Sequence, residues 1–193
     1  MKRVMPLLIA VLFGATPIIA QDNAWKLDKA HSAVTFAIEH MAISEVTGRF
    51  KDFEIILTSS KEDFSDAQVK AAINVGSLST DNESRDNHLK SDDFFNAAQY
   101  PTITFTSKSF EKVEGKKYKI TGDLTIRDVT RTVTFDANYR GTIKTQQGTV
   151  TGWSATTAID RFDYNLKWSR AIENVGLVAG RTVTITMNLE FKK

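Results

Sequence analysis

The feature that most constrains this chain is a hydrophobic period of two that recurs along its length. In "AVTFAIEH", Val34, Phe36 and Ile38 fall on one side and Thr35 and Glu39 on the other. "AQVKAAINV" sets Val69, Ala71, Ile73 and Val75 against Lys70 and Asn74. After Pro101, Ile103 and Phe105 alternate with Thr102, Thr104 and Thr106. "TVTFDANYR" gives Val133, Phe135, Ala137 and Tyr139, and "GTVTGWSATTAI" gives a weaker pattern with Trp153 and Ala155. "TVTITMNLEFK" gives Val183, Ile185, Met187, Leu189 and Phe191. Successive side chains of a strand point to opposite faces, so each segment reads as a one-faced strand. Thr, Val, Ile and Phe suit such a surface.

Two stretches depart from the pattern. Phe50 is in step with Val46 and Gly48, but Phe53, Ile55 and Leu57 are out of step, which predicts a bulge or turn near Lys51-Asp52. "STDNESRDNHL" has Thr80 three residues before Glu83, a capping-box spacing that predicts a short helix from Asp81 to Leu89. Ser91 then caps a further helical turn carrying Phe94 and Phe95, and Pro101 ends it. The class is therefore all-β, with one short helical segment within 81–97. Long one-faced strands joined by short turns fit a sandwich or, better, a closed antiparallel barrel of about eight strands, since closure removes exposed edges. The apolar faces then look inward.

The chain has 193 residues and no cysteine, so disulfides and thiolate chemistry are excluded. Residues 1–20 read as a signal peptide: a basic "MKR", an apolar run too short to span a bilayer, and a small residue, Ala20, before Gln21. That leaves 21–193 as one exported domain, periplasmic or secreted. A net charge of +2 with both signs interspersed gives no nucleic-acid footprint.

Three ordered segments resemble the YceI-like family of secreted bacterial proteins. The first is "LDKAHSAVTFAIEHMAISEVTGRFKDF", with Asp28, His31, Ser32, Phe36 and His40 in a D-x-x-H-S-x-x-x-F-x-x-x-H pattern. The others are "SRDNHLKSDDFFNAAQYPTITFTS" and "GDLTIRDVTRTVTF". The resemblance implies a lipocalin-like barrel that binds an isoprenoid lipid, a quinone or a related long-chain amphiphile. Asn165 departs from the family, where glycine often follows "IDRFDY"; Asn tolerates the left-handed conformation a tight turn needs.

On pattern alone, a packed interior and a ligand cavity are equal readings; the resemblance implies the cavity. Phe36, Ile38, Ile73, Phe105, Phe135, Tyr139, Trp153, Ile185 and Met187 would line it, with Ala71, Ala137 and Ala155 leaving space. A polar head would sit at a mouth near His40, Arg161, Asp163 and Trp168, chosen by segment position. His31, His40 and His88 lack the close spacing of metal ligands, so no metal and no cofactor is expected. No GxSxG or phosphate-binding loop is present. Asp92 and Asp93 read as acids at a helix start rather than a catalytic pair. The expected partner is the lipid, with transient membrane contact and a homodimer both left open. A carrier, an enzyme or stress factor acting on the same lipid, and a packed barrel working through its surface remain three separate readings.

Overall fold

The computed structural model describes residues 23–173 and 176–193; the expected signal peptide lies outside them. The strands are β1 (Ala24–Leu27), β2 (Ala33–His40), β3 (Ser44–Phe50), β4 (Phe53–Thr58), β5 (Gln68–Asn74) and β6 (Leu78–Ser79). Helix α1 (Glu83–Lys90) follows. Then come β7 (Thr102–Glu114), β8 (Lys117–Ile126), β9 (Val129–Thr145), β10 (Gly148–Asp160), β11 (Ala171–Ile172), β12 (Gly176–Leu177) and β13 (Ala179–Lys192).

Pairing shows that several of these are halves of longer strands. β2 pairs β13 from Asn188 to Ala179, and β1 continues along the same edge at Phe191 and Lys192. β1 and β2 are thus one stave, broken by a 3-10 turn at Lys29–His31. On the other side of this stave, β2 pairs β3 and β1 pairs β4. In turn β3 pairs β6, and β4 pairs β5. The remaining staves are β7, β8, β9, β10 and β13, each antiparallel to the next. The result is the expected closed, eight-stave, up-and-down barrel.

The break near Lys51-Asp52 is real, and it has company. The interruptions of the first three staves lie side by side: Asn74 N–H donates to the Asp52 carbonyl at 3.0 Å, Lys51 N–H to the Ser77 carbonyl at 3.2 Å, and Lys29 pairs with Asp52 at 3.5 Å. Three neighbouring staves bend at one line, which re-aims the wall above it. Elsewhere the wall narrows through close approach. At Gly122 a Cβ would lie 2.4 Å from the Thr106 carbonyl oxygen and 2.6 Å from the Phe105 ring.

Helix α1 differs in detail from the sequence reading. Asn82, not Thr80, caps it, accepting from Arg85 N–H at 3.0 Å. Asp81 is left-handed (φ 58°), so the helix cannot begin there. Thr80 instead donates its N–H and hydroxyl to Asp86 at 2.7 and 2.6 Å. Ser91 ends the helix rather than starting another; its hydroxyl donates to the His88 carbonyl at 2.7 Å, and non-helical turns follow through Phe95. Asp92 and Asp93 accordingly lie past the helix, and Asp93 pairs with His88 at 2.9 Å. Asn165 takes the left-handed conformation (φ 61°) its turn needs.

The closing seam is tied by Asp28. Its N–H donates to the Glu190 carbonyl at 2.8 Å. Its carboxylate caps the 3-10 turn through Ala30 N–H, receives His31 Nδ1 at 2.9 Å, and pairs with Lys192 of β13. Lys192 and His31 hold the Asp28 carboxyl well below its usual range, and Asp28 in turn raises the His31 pKa. The lowered acid contributes stability above the unfolded carboxylate value, about pH 4, and loses it as pH falls. The raised histidine contributes below about pH 6.5 and loses it as pH rises through its folded value. The seam is therefore strongest between those limits. The melting temperature should fall as pH rises above about 6.5, and His31→Gln should flatten that part of the profile in a thermal-melt series. An unchanged slope in the variant would contradict the assignment.

Candidate functional site

The inward faces of the staves enclose a cavity of about 140 Å³ with a wholly apolar accessible surface. Its size follows from which residues share a level. Ala137 of β9 pairs with Ala155 of β10, which pairs with Met187 of β13, which pairs with Val34 of β2. Two alanines on adjacent staves take up little of the interior at that level. Ala71 of β5 lies between Ile55 and Phe105 and does the same across the barrel. The packing is uneven around the wall. Inward residues of β7 to β10 are buried, among them Ile103, Phe105, Leu124, Phe135 and Trp153. On β2 and β13, Val34 and Phe191 are buried but Phe36, Ile38, Val183, Ile185 and Met187 are only half-buried. The Phe36 ring also lies over Gly48 of β3, with Cζ 2.3 Å from where a Cβ would stand, so a side chain at 48 would displace it.

The two ends are closed differently. The floor is aromatic: Phe64, from the 59–67 loop, packs against Trp25, Tyr139 and Trp153 at ring distances of 5.6, 5.6 and 5.2 Å. Tyr118 donates to the Asp63 carbonyl at 2.9 Å and ties that loop to the wall. The roof is built from α1 and the two loops around it. Leu89, Phe94, Phe95 and Leu166 face the cavity. Phe94 stacks on Trp168 at 5.4 Å, and the His88 ring meets both edge-on.

Two arginines hold the roof down. Arg127, left-handed (φ 55°) in the β8–β9 turn, donates to the carbonyls of Phe94 and Asn165 at 2.9 and 3.0 Å. Arg161 is 2% exposed and lines the cavity with its stem. Its guanidinium donates to the carbonyls of Gly180, Leu166, Trp168 and Ala179, at 2.5 to 3.1 Å, and Phe162 covers its face at 4.2 Å. Burial lowers its pKa, Asp160 opposes that and Arg181 adds to it, yet a guanidinium stays charged. The charge is spread over backbone dipoles, with Asp160 engaged by Arg181 at 2.7 Å.

Of the residues expected to line a channel, Phe36, Ile38, Ala71, Ile73, Phe105, Phe135, Ala137, Trp153, Ala155, Ile185 and Met187 all border this cavity. Tyr139 does not; it belongs to the floor, its hydroxyl on Thr142 at 2.7 Å. Of the four expected at a mouth, Arg161 donates to the Trp168 carbonyl at 2.8 Å and to the carbonyl of Ala179, the strand partner of His40. His40 is at the rim of β2, Asp163 is exposed, Trp168 packs in the roof, and Arg161 is occupied by carbonyls. His31 and His40 are not partners; His31, Asp28 and Glu190 each bring a ligand atom within 4.8 Å of the others, on the outer surface, where Lys192 already meets Asp28. Sequence reasoning missed the roof residues Leu89, Phe94 and Phe95 and the floor residue Phe64. Their signal was an isolated Leu89 or Phe64, or the adjacent pair Phe94 and Phe95, within a polar, charged stretch.

Arg161→Lys leaves one ammonium where a planar fork met four carbonyls, and unpaired buried carbonyls cost about 1–3 kcal/mol each. The variant should stay folded but lose amide-exchange protection across residues 161–181 before the barrel strands do. Uniform loss, or none, would show that the roof does not depend on this clamp.

A search for related proteins agrees with the architecture. The YceI-like domain matches residues 25–191. UPF0312 proteins of Staphylococcus aureus strains MSSA476 and MW2 are 37% identical over 166 residues, covering 85% of this chain and 94% of theirs. The crystal structure of the Campylobacter jejuni YCEI protein superposes with a TM-score of 0.69 at 32% identity, covering 81% of this chain and 90% of that one. Burkholderia cenocepacia BcnA gives 0.74 at 22% identity, covering 85% and 98%. A polyisoprenoid binding domain from Saccharophagus degradans gives 0.65 at 17%, covering 87% and 97%. With its seam motif, its barrel and this match over nearly all the described residues, the chain belongs to the YceI-like family.

Proposed function

We propose that this protein is an exported carrier that holds one isoprenoid-type chain, a polyprenol or the tail of a quinone, inside the barrel. The observation that carries the reading is the cavity itself: enclosed by eight staves, roofed, floored, and apolar throughout. Arg161, the one cation in its lining among the described residues, is committed to backbone carbonyls, and Thr35 donates to the Thr186 carbonyl at 3.1 Å. Neither is free to act as an acid, a base or a nucleophile, which favours holding a ligand over transforming it. The likeness to a polyisoprenoid binding domain supports the same class of ligand, and the expected signal peptide supports delivery outside the cytoplasm.

The driving force is burial. At about 0.8 kcal/mol per CH₂, each five-carbon unit contributes roughly 4 kcal/mol at most. The cavity compares with an apolar void of about 150 Å³ that holds one benzene. A long chain therefore needs the half-buried wall of β2 and β13 to give, with Phe36 swinging off Gly48. Stripped protein should bind geranylgeraniol and a long-tailed quinone, with native mass spectrometry showing one chain per protein. Failure of both to bind or to raise the melting temperature would contradict the carrier reading.

Substitution separates a cavity from a packed core. In a packed core, Ala71→Trp, Ala137→Trp or Ala155→Trp overfills the barrel and costs about 1–3 kcal/mol. With a cavity, at least one of them should melt within a few degrees of the stripped parent while losing prenyl uptake. Severe destabilisation by all three would remove the physical basis of the proposal.

A further inference from the structure

The turn joining β2 to β3 is made of residues that its geometry disfavours. Ile43 N–H donates to the His40 carbonyl at 3.2 Å, closing a tight turn with Met41 and Ala42 at its centre, inside the three-residue loop between His40 and its strand partner Ser44. Both are left-handed, at φ 55° and 59°. Such a turn is ordinarily Asn-Gly, because side chains resist positive φ. Here the chain accepts that cost twice and puts apolar groups at the tip. Ile43 is 85% exposed, the highest value among the exposed large hydrophobics of the described residues.

The tip stands clear of the wall. β6 pairs with Arg49 and Phe50, and among the described residues no strand pairs with residues 44–48 on that side. Met41 N–H donates to the Val178 carbonyl at 3.0 Å, which brings half-buried Leu177 and Val178 beside the turn. The tip also lies at the roof end of the barrel, beyond the half-buried β2 wall. Behind it, Glu39 and Glu45 are exposed and directly opposite each other.

We propose that the Met41–Ala42–Ile43 turn is a membrane-docking tip that sets the roof end of the barrel against a bilayer of neutral-headgroup lipids, from which the chain is taken up. The three residues are too few for a protein interface, which needs about 800 Å² from each partner. They match the shallow burial, about 5–10 Å, of an interfacial anchor. The paired glutamates oppose anionic lipid, so apolar insertion and not charge is the attraction. The uptake step rests on the carrier reading; the docking does not.

The absence of native cysteine allows a direct test. An environment-sensitive fluorophore on Ile43→Cys should shift to the blue with phosphatidylcholine vesicles, and the same label on Ile143→Cys, at the floor end, should not. The shift should persist at high salt and weaken when phosphatidylglycerol is added. Extraction of a polyprenol from vesicles should slow about tenfold in Ile43→Asp, while binding of soluble farnesol stays unchanged. Ala42→Gly/Ile43→Thr relieves the strained position and should melt at or above the parent temperature, yet extract as slowly. Parental extraction by either variant, no shift at position 43, an equal shift at 143, or docking that depends on anionic lipid would overturn the proposal. If wild-type protein takes up no farnesol, the carrier reading fails, and the label still reports docking on plain vesicles.

Discussion

Everything in this barrel depends on the continuous pairing of one strand, β13. One of its edges runs along β10 from Thr182 to Lys192. The other meets β2 and then β1, so a single strand joins the last stave to the first. Unpaired strand edges expose backbone groups that must find a partner or water. Closing the sheet satisfies them and at the same moment seals a space that water would otherwise enter. The Asp28 group sits where β13 passes from β2 to β1, at an interruption in that edge. Its hydrogen bonds to Ala30, His31 and the Glu190 carbonyl keep the seam joined across a break in the strand.

The interior then follows from side-chain size and from ends that are held from outside. Adjacent alanines on β9 and β10 leave room, while aromatic rings fill the floor. The roof has little regular structure to hold it, and two arginines bonded to backbone carbonyls take that role. A buried guanidinium is normally costly without a carboxylate. Here four carbonyls and one ring face solvate it, and the loop it organises closes the cavity. The same device commits the Arg161 guanidinium to the backbone rather than to the cavity. The half-buried part of the lining lies on β2 and β13.

Period two made most of this legible in the sequence. It identified the inward face of nearly every stave, because a one-residue slip would turn that face to solvent. The phase change after Phe50 located the bend. The sequence pattern does not carry what depends on contacts distant along the chain. Nothing near Thr80 signals that it will bond Asp86 and leave the cap to Asn82. Arg161 reads as a head-group ligand until the carbonyls of Leu166, Trp168, Ala179 and Gly180 surround it. Tyr139 keeps the inward period but falls below the cavity, because the height of a residue in a barrel is set by the stagger of all its neighbours. Phe64 and Phe94 lie in polar loops where no period exists to interpret them.

The central claim is that a prenyl chain lies inside the barrel rather than on its surface. The most direct measurement is an NMR spectrum of methyl-labelled protein with an isotope-filtered polyprenol of about ten units, since dipolar contacts report protons within a few ångströms. The account predicts cross-peaks from the chain to Ile73, Ile103, Ile120, Ile185 and Met187, which line the cavity. It predicts none to Ile56 and Ile143, which are exposed on the outside. Contacts confined to the exposed set, with the interior methyls unperturbed, would contradict it.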